Sequence, residues 1–265
     1  MSARALGVAG VVILIIAAVV LTAGNERAAG TNTERTVVVE LFTSQGCSSC
    51  PPADRALSAI GRDHFDGVVV PLAFHVDYWN SLGWSDPFSS PRWSERQRAY
   101  AAALKSQVYT PQVVIDGSTQ LVGSYEARVR QEIARRLAEP AAASIAIGAV
   151  RMETGRIHVE ISASLAAGTK QEGSDVNVVL FENGVRTDIR RGENSGLQVT
   201  NDHVVRSMIR AFSLESGKTA ARGSVTIPLD PAWRNQSLGI AAFVQNRSTL
   251  AIEGAGVRAL SGHPL

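Results

Sequence analysis

The chain has 265 residues, 45% of them apolar and 19% charged, with a formal net charge of +2. That is enough length and apolar content for one large or two modest packed domains, and it excludes a disordered or low-complexity chain. The near-neutral charge, with no stripe of Lys or Arg, argues against nucleic acid as a partner.

Ala5 to Ala23 is an unbroken run of apolar or small residues behind a single cation, Arg4. It fits a secretory signal peptide or an uncleaved membrane anchor near the minimum spanning length, which makes residues 1–24 a targeting segment. With Arg4 on the cytoplasmic side the rest of the chain is exported. The expected location is the periplasm or cell envelope, with membrane contact only through this segment. Residues 25–35 are polar and read as a linker.

Val37, Val38, Val39, Leu41 and Phe42 predict a buried strand, followed by a polar turn and then Cys47-Ser48-Ser49-Cys50 at the start of a helix. Pro51 and Pro52 suit a first helical turn, where a missing N–H costs little. The unpaired N–H groups and dipole of a helix N-terminus favour an anion, so a thiol placed there loses its proton more readily. A C-x-x-C pair beside a strand–helix pattern is the mark of a thioredoxin-like redox site. These are the only two cysteines. The alternative is a non-enzymatic envelope binding protein in which the pair is a structural disulfide, but closing so short a loop stabilises by only about 2 kcal/mol. In the redox reading the Cys47 thiolate attacks a partner disulfide and Cys50 resolves the mixed disulfide.

Val68 to Phe74 is a near-continuous apolar run, as in a strand buried on both faces. His75 and Asp77 follow it on one face by the period of two, and they are candidates for tuning Cys47. Glu40, on the first strand, is a candidate proton relay, although strand alternation could equally turn it away. Asn80 to Pro91 is a loop. Ser94-Glu95-Arg96-Gln97 matches a capping box for the next helix. Tyr78, Trp79, Trp84, Phe88, Trp93, Tyr100 and Tyr109 form either an apolar platform for a peptide or the core of this insert. Gln112 to Ile115 is a short strand entered through Thr110-Pro111 and left through Asp116-Gly117, and Leu121-Val122 pairs back on it. Tyr125, Val129, Ile133 and Leu137 predict an amphipathic helix, with Glu126/Arg130 and Glu132/Arg136 as outward pairs.

Beyond Pro140 the pattern changes to short β-prone runs: Ile145–Val150, Ile157–Ile161, Val176–Phe181, His203–Ile209, Val225–Leu229 and Leu238–Val244. Asn183-Gly184 is a hairpin signal. Residues 140–265 are expected to form a separate all-β, sandwich-like domain after an α/β domain of residues 36–139. Arg191-Gly192-Glu193-Asn194 reads as a turn.

The order of elements in residues 36–139 resembles the thioredoxin-like fold, a mixed sheet with flanking helices. The segments LFTSQGCSSCPPAD, FHVDYWNSLGW, YTPQVVIDG, VRTDIRRGEN and AAFVQN resemble an uncharacterised family of exported thioredoxin-like proteins, domain of unknown function 1223. The resemblance implies a cis Thr110-Pro111 bond facing the dithiol and shaping a groove for substrate. It also implies protein thiols or disulfides of the envelope as partners, and no cofactor. The interval from Cys50 to Pro111 is longer than in ordinary thioredoxins. A third reading is Cu(I) held by Cys47, Cys50 and His75, since soft thiolates select that ion.

Overall fold

The structure is a computed structural model describing residues 35–169 and 172–260, so the targeting segment and nearly all of the linker lie outside the described residues. The first half consists of β1 (Thr36–Thr43), α1 (Pro51–Arg62), β2 (Val68–His75), α2 (Pro91–Ala103), β3 (Gln112–Ile115), β4 (Thr119–Val122) and α3 (Glu126–Leu137). The second half begins with β5 (Ala143–Glu153), β6 (Arg156–Leu165), β7 (Ser174–Glu182), β8 (Val185–Asp188) and β9 (Gln198–Asn201). It ends with β10 (Val204–Leu214), β11 (Ala220–Pro228), β12 (Leu238–Asn246) and β13 (Ile252–Ala259).

Residues 36–139 and 140–265 do not form separate domains; they share one eight-stranded sheet in the order β13-β12-β7-β10-β2-β1-β3-β4. The join is between β10 and β2, which run parallel with Val204 opposite Ala73, and the Ala73 N–H donates to the His203 carbonyl at 2.8 Å. The physical reason is the apolar run of β2. A strand buried on both faces cannot leave its outer edge unpaired without exposing a row of unsatisfied backbone groups. A second sheet, β11-β6-β5, lies over the β7–β12 end, and Ile157, Val159 and Ile161 pack with Val178, Leu180, Ile240 and Ala242. That end is therefore sandwich-like, but one of its layers is the shared sheet.

Alternation along β1 sets the two faces of the first half. Val37, Val39 and Leu41 join α1 and α3 through Leu57, Ile60, Val129 and Ile133. Val38 and Phe42 join Trp93 and Tyr100 of α2 on the other side, together with Phe181 and Phe243 from the second half. Burying each such side chain contributes about 1.5–3 kcal/mol. α2 thus lies across the seam between the halves.

Three local expectations are corrected. α2 starts at Pro91, with Ser90 as its cap, accepting from the Arg92 N–H at 3.3 Å. Pro91, lacking an N–H, suits that first position, and Ser94 lies inside the helix. Asn183-Gly184 turns the chain, but β7 and β8 do not pair; β7 pairs with β10 and β12 while β8 pairs with β9. Glu126 pairs with Arg130 as expected, whereas Glu132 binds Arg135 and Arg136 turns to Glu139.

Candidate functional site

β1 ends at Thr43, and the chain turns at once: the N–H groups of Gly46 and Cys47 return to the Ser44 side chain and carbonyl at 3.1 Å each. Cys50 stands just before α1 and its carbonyl accepts from Ala53 and Asp54 at 2.9 and 3.1 Å. Pro51 and Pro52 fill the next two positions. Cys47 and Cys50 form a disulfide with a Cα–Cα distance of 5.4 Å. The Thr110–Pro111 peptide bond is cis. The Trp79 indole N–H donates to the Thr110 hydroxyl at 2.8 Å, and that hydroxyl donates to the Cys47 sulfur at 3.4 Å. The Ser49 hydroxyl also reaches this sulfur at 3.4 Å. Cys47, Cys50, Thr110 and Pro111 are therefore brought together.

A polar network lies behind the disulfide. Thr43 and His75 are register partners on the two parallel strands, on the α1 side of the sheet. The Thr43 hydroxyl donates to Asp54 Oδ1 at 2.8 Å, and Asp54 follows Cys50 at i,i+4, which puts both on one helix face. His75 Nδ1 is 2.7 Å from Asp86 Oδ2, which also accepts the Gln45 N–H at 2.7 Å. Burial works against the charged imidazolium, but the Asp86 charge and hydrogen bond, with Asp54, outweigh it and raise the pKa of His75. Burial would raise Asp86; His75 and the backbone N–H groups of Gln45 and Phe88 hold it below the usual carboxylate range. Asp54 is pushed up to about 6, mainly by burial, against the lowering effects of His75 and Thr43.

The other predicted residues lie apart from the sulfurs. Glu40 points to the α2 side of the sheet, where Arg96 binds it at 2.7 and 2.9 Å and also reaches Tyr100 and Gln245. It is a structural ion pair on the face opposite α1, and the carboxylate near Cys50 is Asp54. Asp77 leaves the face of His75 because β2 ends there, and its carboxylate accepts from Ser94. The aromatic residues do not make a core of their own. Trp93 and Tyr100 enter the main core, Trp79 and Trp84 border the disulfide, and the Phe88 ring lies 5.3 Å from that of His75. The ligand set Cys47, Cys50 and His75 is not gathered, and among the described residues no group of three or more His, Cys, Asp or Glu is placed to hold a metal.

Both cysteines are 0% exposed. The loop between β8 and β9 lies against the backbone around Cys47. The Asn194 side-chain amide donates to the carbonyls of Gln45 and Cys47 at 2.9 Å each, and Glu193 accepts the Ser48 N–H at 3.1 Å. A hydrogen bond from the Ser48 side chain, together with this backbone one, lowers the pKa of Glu193. Gly192, at φ +76°, passes so close to Trp84 and Gly83 that a Cβ would meet Trp84 at 3.0 Å. Sequence reasoning found the turn but not its target. A four-residue polar segment carries no signal of which loop it will meet some 145 residues away.

The family model described as "Protein of unknown function (DUF1223)" matches residues 38–245. The chain is similar to a crystal structure of protein AGR_C_4864 from Agrobacterium tumefaciens, at 29% identity and TM-score 0.63, over 86% of this chain and 96% of that one. It is also similar in fold to HBP35 of Porphyromonas gingivalis, at 15% identity and TM-score 0.69, over 85% of this chain and 75% of that one. No curated protein matches the sequence.

Proposed function

The chain belongs to the DUF1223 family, and we propose that its Cys47–Cys50 pair carries out thiol–disulfide exchange with exported proteins, on a thioredoxin-like half-fold. The observation that carries this reading is a disulfide set at the N-terminus of α1 with the Thr110 hydroxyl on the Cys47 sulfur at 3.4 Å. A helix N-terminus stabilises the thiolate released when such a bond opens. The apolar run Ala5–Ala23 supports export.

In the oxidising direction a partner thiolate attacks Cys47 Sγ, forming a mixed disulfide, and the Cys47–Cys50 bond breaks with its electron pair on Cys50 Sγ. Asp54, with its pKa near 6, gives Cys50 the proton when it holds one. A second partner thiolate then attacks the partner's own sulfur, completing the partner's disulfide and releasing Cys47 as a thiolate. The net result is one disulfide gained by the partner and one lost here. In the reducing direction every step runs backwards and Asp54 takes the proton from Cys50.

Burial of both sulfurs favours a second reading, a purely structural disulfide. The reduction potential of the pair decides between them. A value within roughly −270 to −120 mV, the span of catalytic dithiols, supports exchange, and a value below about −300 mV marks a structural bond. Cys50→Ser in cells sharpens the result: exchange predicts trapped mixed disulfides through Cys47, and their absence contradicts it.

A further inference from the structure

We propose that the β8–β9 loop, residues 189–197, is a built-in occupant of the surface on which the partner docks, and that a partner must displace it before exchange begins. The inference rests on the exchange reading above and adds what regulates that site and what kind of segment fits it.

Three observations carry it. The first is access: exchange needs a thiolate to reach a sulfur, and both cysteines are 0% exposed. The second is what the loop holds. Asn194 donates to the Gln45 and Cys47 carbonyls and Glu193 accepts from Ser48, so the contacts fall on the backbone immediately around Cys47. The third is how the loop is mounted. β8 and β9 form a two-stranded ribbon that is part of neither larger sheet. Two-stranded hairpins are marginally stable by themselves.

The loop is also closed on itself: the Ile189 N–H donates to Leu197, and the Gly196 N–H returns to Ile189, at 2.9 and 2.8 Å. It can therefore move as a unit. Only Ile189 and Asn194 are buried, while Arg190, Arg191, Glu193, Ser195 and Gly196 face solvent.

Lifting the loop uncovers one donor, the Ser48 N–H, and two acceptors, the carbonyls of Gln45 and Cys47. The segment that replaces it is an extended polypeptide with a cysteine and a nearby Asp or Glu, whose carboxylate takes the seat of Glu193. While the loop is seated, the Glu193 carboxylate lies on the amide next to Cys47, so a Cys47 thiolate repels the loop and favours its release, whereas the docked segment's carboxylate faces Cys47 held in a mixed disulfide without that charge.

The test is the rate at which dithiothreitol reduces the disulfide in the full chain, compared with Asn194→Ala and Glu193→Gln. Loss of the two Asn194 hydrogen bonds is expected to raise the rate constant about tenfold, and loss of the Glu193 charge about twofold to threefold. Trypsin should cut after Arg190 or Arg191 faster in the reduced protein than in the oxidised one. If Asn194→Ala fails to fold, the exposed and isosteric Glu193→Gln and the trypsin comparison on the unmodified chain still decide. Rates within the error of the unmodified protein, with trypsin cleavage independent of redox state, overturn the proposal. The small reductant makes this outcome distinguishable from failure of the exchange reading. A strongly reducing potential would remove that reading and leave the acceleration intact.

Discussion

The two ends of the shared sheet are built by different means. At the β1–β2 end the strands bury Glu40, Thr43 and His75 among Val, Leu and Phe, and Arg96, Asp54 and Asp86 meet them. At the β7–β12 end Val176, Val178, Leu180, Ile240 and Val244 meet Ile157 and Val159 in an apolar core, and the one buried carboxylate of β7, Glu182, is held by Arg206 and Arg234. A buried polar group destabilises unless it is paired, and a buried charge does so more strongly. Glu40, His75 and Asp86 meet that cost at the first end and Glu182 of β7 at the second, each through its own partner. The β7–β12 end supplies apolar packing, and the β8–β9 loop that follows β7 reaches back to the backbone around Cys47.

Breaking the polar end should have the largest effect. Asp86→Ala leaves His75 buried without its partner and the Gln45 and Phe88 N–H groups without an acceptor. The expected loss in urea denaturation is about 3–5 kcal/mol. Leu180→Ala at the β7–β12 end should cost about 2–5 kcal/mol through its cavity. Their pH dependence separates them. The raised pKa of His75 means its contribution is complete below the unfolded value of 6.5 and fades as pH rises through the folded value. The Asp86→Ala deficit should therefore shrink at high pH while the Leu180→Ala deficit stays level. Two parallel deficits would show that the contrast between the ends is mistaken.

His203 sits where the two ends join. Its φ is +57°, its carbonyl accepts from Ala73, and its N–H donates to Asn183 Oδ1 at 2.8 Å. Burial pushes its pKa down to about 4, against the raising effect of Asp202 and with a small lowering by Arg62. Between pH 6.5 and 4 the unfolded chain binds the proton and the folded chain does not, so stability is lost as pH falls through that window. The loss expected from the shift is about 3 kcal/mol. His203→Asn, which tolerates the left-handed backbone, should flatten this slope between pH 4 and 6.5. An unchanged slope would place the pH sensitivity elsewhere.

Much of the disulfide end was legible because it is local. Val37 to Pro52 carries strand, turn, cysteine pair and helix start in one stretch, and Asp116-Gly117 marks the β3–β4 turn directly. The strands beyond Pro140 were legible from their β-prone runs, but β13 and the β8–β9 ribbon were not. The shared sheet could not be read off, since nothing in β2 says that its outer edge will meet Val204. Asp54 was hidden for a different reason. An acidic residue in a first helical turn is ordinary, and only the register of Thr43 with His75 reveals that it turns inward to the Thr43 hydroxyl. Glu40 was the more conspicuous carboxylate, on a strand of Val and Leu, and Arg96 from the insert claimed it.

Asp54 also gives the smallest predicted effect, of opposite sign to His203. Its folded pKa, about 6, lies above its reference value of 3.8. The folded chain therefore holds the proton between those limits when the unfolded chain has lost it, and that stability disappears as pH rises through about 6. Asp54→Asn should stabilise the protein at pH 7 and have little effect at pH 3.5. The side chain is only half-buried, so solvent screening reduces the expected gain to about 1–2 kcal/mol. The same substitution removes the proton carrier beside Cys50, so under the exchange reading the more stable protein should be the slower one. Above pH 7 the mixed disulfide should resolve more slowly in Asp54→Asn than in the unmodified chain. Equal resolution rates, with the stability gain present, would make Asp54 a structural residue and return the question of the proton to solvent.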